Sequence, residues 1–135
     1  MKLNDLFEMS DNDLDRAEQA IDSMFRELGL DIIFTKHFRE RTIGDGARDA
    51  DVTAKEVFSA FNKLKVRYGR ELYAAKDNPE QFVGLLKDIS TSINMPFSID
   101  YDRVSKGLHN LRVVTVMRKK NFVPNSDGGK VLTVK

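Results

Sequence analysis

The hydrophobic period of this chain changes once, near residue 80, and that switch limits the fold classes open to it. Upstream, apolar residues recur at helical spacing. Leu14, Ala17, Ile21, Met24, Phe25 and Leu28 predict a helix over about 11–28, with acids crowding its first turn and Gly29 standing at its end. Thr53-Ala54-Lys55-Glu56 reads as a capping box, with Val52 and Val57 at the staple positions around it. The helix it opens runs to about Ala75 with Val57, Phe58, Phe61, Leu64, Tyr68 and Leu72 inward, weakened at Gly69. Downstream the period is two. Strands are predicted over Phe82–Ile89, over Asn94–Tyr101 with Met95, Phe97, Ile99 and Tyr101 alternating, over Leu111–Met117 and over Lys130–Val134. Turns fall at Asp77-Asn78-Pro79, within Asp102–Asn110 and at Asn125–Gly129. Helices followed by an antiparallel meander of about four strands predict an α+β architecture. A length of 135 residues suits one such domain over 11–135, preceded by a lead segment over 1–10.

Between the two helices lie two shorter pieces. Leu30-Asp31-Ile32-Ile33-Phe34 is β-branched and short, so it reads as a strand or an extended connection. Thr35 then caps a short helix holding Lys36, His37, Phe38, Arg39, Glu40 and Arg41. His37 and Arg41 are four apart on one face, while Phe34 and Phe38 share another that faces the core. An imidazole that moves a proton beside a permanent cation that holds oxyanions suits chemistry on a phosphate. The same spacing also fits a basic helix with a surface histidine.

Charge narrows the partners. Hydrophobic residues at 41% and charged residues at 32% describe a soluble folded chain rather than a disordered one. A net charge of +1 argues against a DNA mimic. It hides an uneven distribution: Lys36–Arg41, Lys63–Arg70 and Arg112–Lys120 are basic, residues 4–22 acidic. No cysteine is present, which removes disulfides, thiolate metal sites and cysteine nucleophiles together. Asp45 to Glu56 has acids at four calcium-loop positions but lacks the glycine that such a loop needs at its sixth, and Glu56 is better used by the capping box. No cofactor motif is found: GxxxxGK, GxGxxG and the serine elbow are all missing. No apolar run approaches the length of a membrane span, and no signal-peptide core follows Met1.

RNA cleavage by its own 2′-hydroxyl needs neither metal nor cofactor. A base, an acid and cations around the phosphate suffice. His37 is the candidate base or acid and Arg41 the candidate phosphate anchor. In the strand, Arg112, Val114, Val116 and Arg118 face one side, and Val113, Thr115, Met117 and Lys119 the other. Thr115 and Arg118 are therefore alternative supporting groups unless a bulge intervenes. Lys36, Arg39, Lys119 and Lys120 are candidate RNA contacts. His109 falls in a turn and is expected to be exposed.

Thr35 to Arg41, Thr53 to Phe61, Asn94-Met95-Pro96-Phe97 and Val113 to Phe122 together resemble a group of small phage proteins of the barnase–EndoU–colicin–RelE (BECR) superfamily of metal-independent ribonucleases. The resemblance covers about residues 30–135. It implies helices packed on a curved antiparallel sheet, an active site on the exposed sheet face with His37 at its edge, and His37 and Arg41 as the residues carried over. Met1 to Glu8 resembles the capsid-targeting peptide of internal head proteins in T4-like phages, cut after Glu8 in Leu6-Phe7-Glu8. These resemblances imply a protein of the host cytoplasm, packaged in the virion head and injected. Two functions follow as expectations. One is a ribonuclease acting on RNA. The other is a non-catalytic phage factor that binds RNA or a host protein through its basic surface.

Overall fold

The computed structural model describes residues 11–42, 52–74, 82–100, 109–120 and 130–135. The lead segment with Leu6-Phe7-Glu8, the 44–51 loop, the Asp77-Asn78-Pro79 turn, Tyr101, the 102–108 turn, Phe122 and the 125–129 turn lie outside the described residues.

Helix α1 (Asp11–Phe25) buries Leu14, Ala17, Ile21 and Phe25, the stripe read from the sequence. Its end tightens into a 3-10 turn, Arg26–Leu28. Gly29 closes that turn in the left-handed region at φ 73° and ψ 26°, its N–H donating to the Arg26 carbonyl at 3.0 Å. A Cβ is disfavoured in that conformation, so glycine belongs there.

Strand β1 (Leu30–Phe34) turns Leu30, Ile32 and Phe34 to the core. It lies at one margin of the sheet, and its free edge is covered by acids of α1. Asp22 Oδ1 accepts the Ile32 N–H at 3.0 Å, and Glu18 Oε2 accepts the Phe34 N–H at 2.7 Å. Bound carboxylates leave no row of bare donors for another chain to pair with. The acidic first helix thus has a structural use.

That edge carries a titration. A hydrogen bond to Asp22, then burial, then the charge of Asp22 push the Asp31 carboxyl up to about 6 from the usual 3.8. Burial works against ionised Asp22, but the hydrogen bonds from Asp31, the Ile32 N–H and Arg26 outweigh it and hold Asp22 below its usual value. The folded state therefore binds the Asp31 proton more tightly than the unfolded chain does. Its stabilising contribution is full below about pH 3.8 and is lost as pH rises through about 6. Asp22 acts oppositely and loses its contribution as pH falls below 3.8. Asp31→Asn keeps a donor toward Asp22 without the charge. It should raise stability at pH 8 by roughly 0.5 kcal/mol, discounted for solvent screening, and flatten the loss between pH 5 and 7. Urea midpoints across that range measure it.

Helix α2 (Lys36–Thr42) buries Phe38 against Phe34, ring centroids 4.5 Å apart. Helix α3 (Ala54–Ala74) buries Val57, Ala60, Phe61, Leu64 and Leu72. Phe58 departs from the expected stripe: it is 38% exposed, while Ala60 is fully buried. Tyr68 is half-buried and donates to the Thr133 carbonyl at 3.1 Å. Gly69 is buried beside Leu28, and an added Cβ would meet its nearest atoms at 3.9 Å, ordinary contact. Gly69→Ala should therefore stabilise the protein by about 0.7 kcal/mol through helix propensity and raise Tm by about 3 °C. Calorimetry of the variant measures this.

The sheet holds β1, β2 (Phe82–Asp88), β3 (Ile93–Asp100), β4 (His109–Val113), β5 (Met117–Arg118) and β6 (Lys130–Val134). Strand order is β1-β4-β3-β2-β6, with β5 continuing beside β3. The architecture is α+β, as the period switch predicts. The sheet is mixed and six-stranded, not the antiparallel four-stranded sheet expected. β2, β3 and β4 form the antiparallel centre, while β1 joins β4 and β6 joins β2 in parallel. The physical reason is edge availability: β1 already covers the outer edge of β4, so β6 pairs with the free edge of β2. His109 opens β4 half-buried, its N–H donating to the Gly29 carbonyl at 2.8 Å, rather than standing exposed in a turn. Among the described residues, no helix is long and apolar enough to cross a membrane.

Candidate nucleic-acid interface

The sheet face turned away from the core is set by the ladder register. Lys87, Asn94 and Met117 lie in one row across β2, β3 and β5, and Val83, Ser98, Arg112 and Ile33 in another. Its two ends differ in charge. Asp31 and Asp100 stand at one end, where Asp100 pairs with Arg112 at 3.5 Å, and lysines gather at the other.

Pro96 shapes the lysine end. Its carbonyl accepts the Val114 N–H at 2.9 Å, so its ring nitrogen faces the same neighbour and offers no donor. The ladder gives way there. From Val113 to Met117 the strand advances four residues while its partners move only three, from Phe97 to Asn94. That extra residue is a bulge, the place where a proline is tolerated inside a sheet. It divides the predicted Leu111–Met117 strand into β4 and β5. It also turns Val116 into the core and puts Arg118 opposite Ile93 on the helix-bearing side.

Arg118 is held there. Its Nη2 donates to both oxygens of Glu56 at 2.9 and 3.1 Å, and its Nη1 donates to the Thr91 carbonyl at 2.7 Å. Glu56 completes the expected capping box. Its Oε1 accepts the Thr53 N–H at 3.1 Å while Thr53 Oγ1 accepts the Glu56 N–H at 3.2 Å. Burial opposes ionised Glu56, yet the bonds from Arg118 and Thr53 outweigh it and hold its carboxyl below the usual range. Arg118 thus ties the strand end to the start of α3.

Arg39 is also committed. It bridges Asp15 at 3.0 Å and Glu18 at 3.1 Å, so it faces α1 rather than solvent. Lys36 is almost fully exposed and lies 3.9 Å from Glu40. His37 is exposed in the first turn of α2, with Arg41 half-buried one turn on, and no side-chain hydrogen bond or ion pair holds either among the described residues. Their helix is anchored beside the bulge. Thr35 Oγ1 accepts the Phe38 N–H at 3.2 Å, as the cap predicts, and donates to the Val114 carbonyl at 2.9 Å. Thr115 follows directly, its Oγ1 buried and without a partner among the described residues. The cap of α2, the helix that carries His37 and Arg41, is thus tied to the segment that leads to Thr115, while Arg118 is drawn away to Glu56.

A cleft of about 160 Å³ is lined by Lys87, Lys119 and Lys120 around Ser92 and Asn94, with Asp88 and Ile89 completing its wall. Asn94 builds it. The residue is 1% exposed, and its Nδ2 donates to the Ser92 carbonyl at 3.2 Å and the Lys119 carbonyl at 2.9 Å. Two carbonyls at one end fix which atom of the amide is nitrogen. Ser92 sits at φ 61°, and its carbonyl also accepts the Lys119 N–H at 2.9 Å. Turn and strand end are thereby locked so that Lys119 and Lys120 stand near Lys87.

No protein-family model, curated protein or solved structure matches the chain.

Sequence reasoning singled out Lys119 and Lys120 but passed over Lys87 and Asn94, which sit in ordinary strand positions. The signal for Asn94 was a polar side chain within a strand of buried residues, next but one to Pro96. It also passed over the Lys63–Asp88–Ser90 cluster, in which Lys63 Nζ donates to Asp88 Oδ2 at 3.1 Å and to Ser90 Oγ at 2.9 Å. Among the described residues, no group of histidine, aspartate and glutamate converges as metal ligands.

Proposed function

We propose that the protein binds RNA, with the phosphate backbone held in the cleft of Lys87, Lys119 and Lys120. One observation carries this reading: the Pro96 bulge and the Asn94 amide gather three lysines, one from β2 and two from the segment just after β5, around one concave site. Three cations around a concavity suit a phosphate, and cations supply most of the affinity in such contacts. The resemblance to phage ribonuclease-like proteins agrees with this chemistry. The separate resemblance of Met1 to Glu8 to a capsid-targeting peptide would have the protein carried in the virion head, trimmed after Glu8 and injected into the host cytoplasm. Titration of a labelled single-stranded RNA tests the binding. Lys119→Ala and Lys120→Ala should each weaken it severalfold and lower the salt dependence by roughly one phosphate contact. Affinity unchanged in both variants would dismiss the cleft as the site.

The junction at α2 favours a second reading, cleavage of the bound RNA. The cap of α2, the helix that carries His37 and Arg41, is bonded to Val114, next in sequence to the buried Thr115 hydroxyl. His37 would exchange the proton and Arg41 would hold the phosphate. Incubation with RNA in EDTA should then leave 2′,3′-cyclic phosphate ends with the wild type and intact RNA with His37→Ala. Intact RNA with both leaves binding as the function.

A further inference from the structure

Asn94 has an acceptor that the fold does not use. Both Nδ2 hydrogens are spent on the Ser92 and Lys119 carbonyls, yet Oδ1 is buried and has no partner among the described residues. A buried carbonyl oxygen without a donor is unfavourable by about 1–3 kcal/mol, so the site favours any ligand that supplies one. The amide cannot rotate to satisfy it, because rotation would set its oxygen against two carbonyls. Its surroundings select the ligand further. Asn94 is in the wall of the cleft that Lys87, Lys119 and Lys120 line together with Asp88, and Lys87 lies directly across the ladder from Asn94. An anion beside the lysines would still leave Oδ1 unpaired. A ligand with a hydroxyl donor beside a phosphate would satisfy both.

We infer that Asn94 distinguishes RNA from DNA by accepting a hydrogen bond from a ribose 2′-hydroxyl while the lysines hold the adjoining phosphate. This rests on the RNA-binding reading above and adds to it a residue that reads the sugar. The 2′-hydroxyl is the donor that DNA lacks. Oδ1 is shut from solvent, so the hydroxyl reaches it only as a neighbouring side chain gives way. A site built around a hydrogen-bonding hydroxyl rejects analogues without it, because the buried polar atom is then left unpaired.

The test alters the ligand, since replacing Asn94 also removes two bonds that hold the turn. Wild-type protein is titrated with oligouridylate, oligodeoxyuridylate and 2′-O-methyl oligouridylate of equal length. Oligouridylate should bind about tenfold more tightly than either analogue, the effect of one hydrogen bond to a buried acceptor. The methylated oligomer keeps the sugar pucker of RNA and loses the donor, so equal affinity for it and for RNA would overturn the inference in favour of shape. Equal binding of all three, weakened alike by Lys120→Ala, would also overturn it and leave the phosphate site standing. Binding of none would overturn the inference and the RNA-binding reading together. Asn94→Ala, if its circular dichroism spectrum matches wild type, should bind RNA and DNA equally.

Discussion

Lys63→Met should destabilise the protein by about 3 kcal/mol, the largest loss expected from any single surface-accessible side chain. Asp88 is 0% exposed, and its carboxylate meets Lys63 Nζ at 3.3 and 3.1 Å. Its remaining donors are the Ser90 N–H at 3.0 Å and the Ser90 hydroxyl at 2.7 Å. Methionine keeps the bulk of the lysine stem and deletes the charge, leaving a carboxylate shut from water with neutral donors alone. The reverse half of the cycle separates pair from packing. Asp88→Asn should cost less, since the amide keeps an acceptor for Ser90. The double variant should recover about 2 kcal/mol relative to additivity. Guanidinium midpoints on the four proteins measure the coupling, and a loss under about 1 kcal/mol in Lys63→Met would mean that Ser90 alone satisfies the carboxylate. The pair also joins α3 to the β2–β3 turn, so the same variant should loosen the cleft and weaken the RNA binding proposed for it.

Gly84→Ala should cost about 2 kcal/mol and lower Tm by roughly 8 °C. Gly84 stands opposite Phe97 in the ladder, and an added Cβ would lie 2.6 Å from Phe97 Cζ and 3.2 Å from Phe82 Cε1. The two rings stack with centroids 6.0 Å apart, and Phe97 is 1% exposed. A close-packed aromatic has nowhere to move, so the backbone of β2 must shift instead. Gly84→Ala with Phe97→Leu should lose less than the sum of the two single changes, because leucine withdraws the ring edge that the methyl meets. Additive losses would show that the strain lies in the backbone. The sense is opposite to that of Gly69→Ala, though both glycines are buried in regular elements. What differs is the neighbour: a rigid ring at one, leucine methyls at ordinary contact at the other.

The candidate site divides by the distance over which its contacts reach. Thr35 as cap, His37 and Arg41 on one helix, and the Thr53–Glu56 box are within a few residues of one another, and the structure places them as their spacing predicts. Arg39 and Arg118 read as available cations because no acid stands three or four residues from either. Their partners come from 21 and 62 residues away. A charge cannot be judged free from its own neighbourhood when a folded helix brings a carboxylate to it.

Periodicity, capping and the stop at Gly29 depend on residues within a turn or two of each other, so the amino-acid sequence by itself determined the helices, most strand positions and the α+β class. Pro96 was visible too, but the predicted strands ran on unbroken, and the bulge opposite it came only with the pairing. Only the tertiary structure decided which edges the outer strands would join, which face Arg118 would take beyond the bulge, and that Lys87 would meet Lys119 and Lys120 around Asn94. Those outcomes depend on competition among all the edges and charges at once, and that competition exists only when the chain has closed on itself.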